Sequence, residues 1–143
     1  MKKILTASAV LISLSIGAVA HAEVENQAVA DRMAAMKAIG GSMKTLGDMA
    51  KGATEFDVAV AQAAVDTLEA QSEALPALFE AQETDPESEA KPEIWTNWDD
   101  FVAKSNSLNA AAAAITITDA ASVGAALGAV GGSCKDCHSE YRM

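Results

Sequence analysis

From residue 26 onward the apolar positions recur at intervals of three and four rather than two, so the chain reads as helical. The first stretch, about Asn26 to Lys51, aligns Arg32, Met36, Ile39, Met43, Leu46 and Ala50 on one face. Gly52 stops it, and Lys51 suits its carbonyl end. A second helix, about Asp57 to Glu73, takes Asp57 as N-cap, buries Ala61, Ala64, Val65 and Leu68, and ends before Pro76. Residues 76–92 are acidic, bounded by Pro76 and Pro92, and aperiodic beyond Leu78 and Phe79. They predict a long connection, and long connections often carry function. A third helix is expected from Pro92 or Glu93 through Trp95, Trp98, Val102, Ser105, Leu108 and Ile115. Thr118 caps a fourth, in which Val123, Leu127, Val130, Cys134, Cys137 and Tyr141 alternate at four and three. Two short connections and one long one make this an all-α, antiparallel four-helix bundle, because short loops leave neighbouring helices antiparallel.

Residues 1–22 fall outside that pattern. Lys2 and Lys3 precede an apolar run from Ile4 to Val19 that ends at Ala20-His21-Ala22, which reads as a cleaved secretory signal. The working domain is then residues 23–143, in the periplasm. The full chain has 143 residues, with 20 acids against 10 bases; cleavage removes two lysines and leaves 20 against 8, a net charge of −12. Such a balance excludes nucleic-acid binding, which needs clustered Lys and Arg, and favours a partner protein with a basic surface. No later apolar run is long enough to span a membrane. Cleavage also removes His21, which leaves His138 as the only histidine of the mature chain.

The chemistry concentrates in Cys134-Lys135-Asp136-Cys137-His138, the C-x-x-C-H pattern of covalent c-type haem attachment. On a helix, Cys134 and Cys137 share a face, so both thiols reach the two vinyl groups along one porphyrin edge, and His138 follows as an iron ligand. The competing readings fit less well. A disulfide would close only a tiny loop and constrain the unfolded chain little. A zinc site wants four ligands, and no second cysteine pair is available. A thioredoxin-like pair uses a helix N-terminus to lower a thiol pKa, whereas this pair ends a helix, where the dipole has the opposite sign.

A secreted four-helix chain with C-x-x-C-H near its C-terminus, followed by Ser139-Glu140-Tyr141-Arg142, resembles the cytochrome c′ family, including its low-spin, methionine-ligated relatives. The likeness extends to Arg32-x-x-x-Met36-Lys37, Lys51-Gly52, Phe56-Asp57, Pro92-Glu93-Ile94-Trp95 and Gly131-Gly132-Ser133-Cys134. It implies one haem c per chain near one end of the bundle, between the first, third and fourth helices. Cys134 and Cys137 are then the thioether residues and His138 the proximal ligand. The resemblance also places Arg32 beside a haem propionate, Met33 against the haem, and Ser88 and Glu89 in a haem-contacting stretch before the third helix. Ser88 stands where the family more often has threonine. Arg142 falls beside the proximal imidazole, and the family's pairing through its first two helices implies a homodimer.

Met36 decides between two mechanisms. One turn after Arg32 on the same face, it is either a sixth ligand, favouring electron carriage, or an apolar blocker over five-coordinate iron that binds NO or CO. No second mature histidine exists to make a bis-histidine haem or to serve as distal acid or base, so no enzymatic role is expected. A rival from another class is a haem-free bundle with disulfide-bonded cysteines that acts as an interaction protein.

Overall fold

The computed structural model describes residues 23–143; the expected signal, with His21, lies outside them. Five helices follow in order: α1 (Gln27–Ala50), α2 (Val58–Phe79), the one-turn α3 (Glu93–Thr96), α4 (Trp98–Ala113) and α5 (Ala120–Tyr141). Each long helix packs on its sequence neighbours and α5 returns onto α1, so α1, α2, α4 and α5 form the four-helix bundle. On α1, the expected Arg32, Ile39 and Leu46 are buried, while Met36 and Met43 are half-buried against the core. The α5 face also holds, with Val123, Val130 and Tyr141 buried and Leu127, Cys134 and Cys137 half-buried.

Three boundaries differ from the sequence reading. First, α2 runs through Pro76 to Phe79 instead of ending before the proline. Pro76 has no N–H for the carbonyl of Ser72, one turn back, and that carbonyl instead accepts from the Ser105 hydroxyl of α4 at 3.3 Å. Asn109 adds bonds to the Glu69 carbonyl (2.9 Å) and the Ser72 hydroxyl (3.3 Å). A polar patch on α4 thus supports the helix across its interruption.

Second, the expected third helix is broken at Asn97, whose φ −119° and ψ 41° are not helical. The Asn97 carbonyl still receives N–H bonds from Asp100 (3.1 Å) and Phe101 (3.0 Å), so α4 restarts at once after the break. Third, α5 is capped by Asp119 rather than Thr118. The extended Asp119 accepts from the Ser122 backbone N–H at 2.8 Å, and the Ser122 hydroxyl is bonded back in a capping box.

The connection from Glu80 to Pro92 is tied down at both ends. Asp85 accepts from the backbone N–H groups of Glu25 (3.0 Å), Asn26 (3.1 Å) and Glu87 (2.9 Å), which fastens the connection to the start of α1. Further along, Ala90 and Arg142 form an antiparallel bridge, with Lys91 N–H donating to the Tyr141 carbonyl and Met143 N–H to the Glu89 carbonyl, each at 2.9 Å. The bonds from Glu87 and Asn26 hold the Asp85 carboxyl below its ordinary range. Folding therefore favours its ionised form, and that stabilisation is present above about pH 4 and lost as pH falls through the depressed value. Asp85→Asn is expected to lower the thermal midpoint at pH 7, with the gap to the parent narrowing below pH ~4 in a melting series. A gap that stays constant with pH would show that ionisation contributes nothing.

Candidate functional site: the cavity beside the C-x-x-C-H turn

The last turns of α5 pack beside the first half of α1, and α3 with the connection closes that end of the bundle. Between them lies a cavity of about 380 Å³, within the roughly 300–1,000 Å³ usual for cofactor sites. Val29, Arg32, Met33 and Met36 line it from α1, and Phe79 from the end of α2. Glu87, Ser88, Glu89 and Ala90 come from the connection, Ile94 from α3, and Cys137, His138, Tyr141 and Arg142 from α5 and its cap. Every site residue expected from the sequence is in this wall except Cys134, which lies one turn earlier on α5, half-buried against the core.

The electrostatics suit thiols and an imidazole that wait for a reaction partner. Both cysteines are free, and burial pushes both thiols up, opposed at Cys137 by the nearby Lys104. Neither resembles an activated redox thiol, which needs a depressed pKa. Burial, helped by Arg142 and opposed by Glu89, pushes the His138 imidazole down, so near pH 7 it is neutral with a free lone pair. Burial and the hydrogen bond to Asp100 (2.6 Å) push the Tyr141 phenol up to about 12, so it stays a proton donor. Among the described residues, no group of three or more His, Cys, Asp or Glu could hold a bare metal ion, so a zinc centre has no ligand set there.

Residues 27–142 match the family profile described as Cytochrome C′, which covers all five helices. The chain belongs to the cytochrome c′ family. Its similarity extends to cytochrome c-556 of Agrobacterium fabrum, 39% identical over 99% of this chain and 95% of the relative. It is also 40% identical to a cytochrome c′ of Rhodopseudomonas palustris over 99% of this chain and 97% of that one. The solved cytochrome c′ from R. palustris superposes with a TM-score of 0.76 at 38% identity, covering 83% of this chain and 98% of that structure.

Membership of the cytochrome c′ family makes the protein a monohaem c-type cytochrome with one covalently attached haem c, which removes the haem-free alternative. The cavity fits that group chemically: its walls are largely apolar, and a free thiol and a neutral imidazole stand side by side in it.

Arg32 does more than the family resemblance implies. It is 3% exposed, and its guanidinium donates to the carbonyls of Leu78 (2.8 Å), Glu83 (2.9 Å) and Ala81. It also lies 5.0 Å from the Phe79 ring centre and 5.3 Å from that of Trp95. Trp95 completes the arrangement by donating its indole N–H to the Phe79 carbonyl at 2.7 Å. The negative end of α2 is therefore capped by a buried cation and an indole, and the connection is held against the cavity. Two of the five guanidinium N–H groups make no hydrogen bond to a described residue. Val29 and Tyr141 were not expected in the wall, although Val29 lies one turn before Arg32 and Tyr141 ends the expected α5 face one turn after Cys137. Phe79 and Ile94 reach the wall through tertiary packing and had no local signature.

Proposed function

We propose that this cytochrome carries single electrons in the periplasm, with its iron held between His138 and Met36 and its thioethers at Cys134 and Cys137. The observation that supports this most is that Met36 from α1 and His138 from α5 line the same cavity. Met36 is half-buried against the core, which limits how far its thioether can wander. When bound, haem c supplies a one-electron iron couple, whose potential a thioether ligand raises. The chain's own residues orient and enclose that group. Arg32 and the bridge between Ala90 and Arg142 hold the connection as one wall, and Ile94 and Phe79 keep water from another. No described helix is long and apolar enough to cross a membrane, and export rests on the reading of residues 1–22.

The test is the visible spectrum of the matured protein in both oxidation states, repeated for the ferrous form under CO. A low-spin spectrum that CO leaves nearly unchanged, and that Met36→Ala turns high-spin and CO-reactive, is expected. A high-spin parent that shifts with CO would overturn Met36 ligation and make the protein a five-coordinate binder of NO or CO.

A homodimer through α1 and α2 belongs to the same proposal. It is supported by Val58 and Val60, 46% and 47% exposed at the start of α2. Sedimentation equilibrium is expected to find a dimer that Val60→Glu dissociates; a monomeric parent would remove the interface.

A further inference from the structure

Outside the cavity wall, a second concavity of about 520 Å³ opens between α3, the start of α4 and the end of α5. Its lining combines three carboxylates, Asp99, Asp100 and Glu140, with Trp98 and with the parts of Trp95 and Tyr141 that are not packed inward, the Trp95 indole being engaged by Arg32 and the Phe79 carbonyl. No basic side chain lines it. Two cations flank it: Lys104 bonds to Asp136 and pairs with Asp100 at 4.0 Å, and Lys91 donates to the backbone carbonyl of Glu140. Asp100 accepts the Tyr141 hydroxyl, while the carboxylates of Asp99 and Glu140 make no ion pair with a described residue. Carboxylates beside aromatic faces are the chemistry that recognises a lysine or arginine side chain.

The position of this groove separates it from an ordinary acidic patch. Tyr141 belongs to both its lining and the wall of the haem cavity. Trp98 stacks on Phe101 with ring centres 5.5 Å apart, and Phe101 meets Tyr141 at 5.5 Å and Phe79 at 5.0 Å. Tyr141 and Phe79 both face the cavity. A chain of ring contacts, one stacked, one edge-on and one tilted, therefore runs from the groove through the buried Phe101 to the cavity wall.

We propose that the groove bounded by Trp95, Trp98, Asp99, Asp100, Glu140 and Tyr141 is the docking site for a lysine or arginine side chain of a basic partner protein. The nature of the partner rests on the electron-carrier reading; the site itself rests on the groove. Docking there sets the partner against these rings, beside the cavity, and the net charge of the chain draws a basic surface toward it from a distance.

The probe is an amidated tetra-arginine peptide titrated at low salt into ¹⁵N-labelled reduced holoprotein saturated with CO, which is low-spin and diamagnetic with either Met36 or CO as sixth ligand. The Trp98 indole N–H and the amides of residues 96–100 are expected to shift together. Asp99→Asn with Glu140→Gln weakens binding about tenfold, while Glu69→Gln with Glu73→Gln, an equal charge change on exposed α2 positions, weakens it less than about twofold. Equal weakening by the two pairs, or saturation without a Trp98 shift, would overturn the site. The CO spectrum of the same sample reports on Met36 ligation independently, so failure of the groove and failure of the carrier reading are distinguishable.

Discussion

Arg32→Met is expected to destabilise the protein by about 3 kcal/mol and to lower its thermal midpoint by roughly 10 °C. The methionine nearly fills the same volume, so the loss is polar. It leaves the carbonyls of Leu78, Ala81 and Glu83 without their common donor, at the end of α2 where no intrahelical N–H can replace it. The contacts of the cation with Phe79 and Trp95 go as well. Arg32→Lys is expected to recover less than half of the loss, because one ammonium cannot reproduce a planar fork that reaches three acceptors. Hydrogen exchange should locate the damage, with amides of residues 80–91 exchanging faster while those in the middle of α1 and α4 stay protected. A residue that only neutralised a propionate would behave differently: its removal would alter the reduction potential and leave the melting temperature almost unmoved. A midpoint within about 2 °C of the parent would therefore sink the capping role.

The double variant Cys134→Ser with Cys137→Ser should lose covalent haem completely. After maturation and denaturation in acidic acetone, its haem is expected in the organic phase, whereas the parent keeps its haem with the protein. Each single variant retains haem through the surviving thioether. The pyridine haemochrome band then reports the number of unreacted vinyl groups: none in the parent, one in each single variant and two in any haem that the double variant captures. The two single variants need not load equally, because Cys137 faces the cavity and Cys134 sits one turn away against the core. Cys137→Ser is expected to accumulate less holoprotein than Cys134→Ser. Covalent haem surviving in the double variant would mean that another side chain is the attachment point.

Much of this was legible in the chain because helices announce themselves locally. The four-three spacing of Arg32, Ile39 and Leu46, and of Val123, Val130 and Tyr141, located two faces of the bundle correctly. The C-x-x-C-H turn, with Met36 on the stripe begun by Arg32, led to a real cavity. What escaped depends on partners distant in sequence. Nothing near Pro76 says that Ser105, 29 residues on, will occupy the carbonyl the proline leaves free, so the local rule that proline ends a helix gave the wrong boundary. The break at Asn97 has a similar origin. Trp95 and Trp98 fit one helical stripe, but the Trp95 indole is committed to the Phe79 carbonyl while Trp98 stacks on Phe101. The threonine cap failed for a simpler reason: Thr118 and Asp119 are both good N-caps, and only the second has a Ser122 placed to close the box.

The placement of the two tryptophans also gives the protein a built-in optical gauge. Trp95 packs against Arg32, which lines the cavity, and Trp98 stacks on Phe101, which in turn meets the wall residues Tyr141 and Phe79. These are the only indoles of the chain, so a haem seated in the cavity absorbs the excitation energy of every emitter in the protein. Loaded protein should therefore be almost dark under ultraviolet excitation, and chains that lack haem or have lost their fold should glow. The ratio of indole emission to visible absorbance would measure the loaded fraction directly in a purified sample.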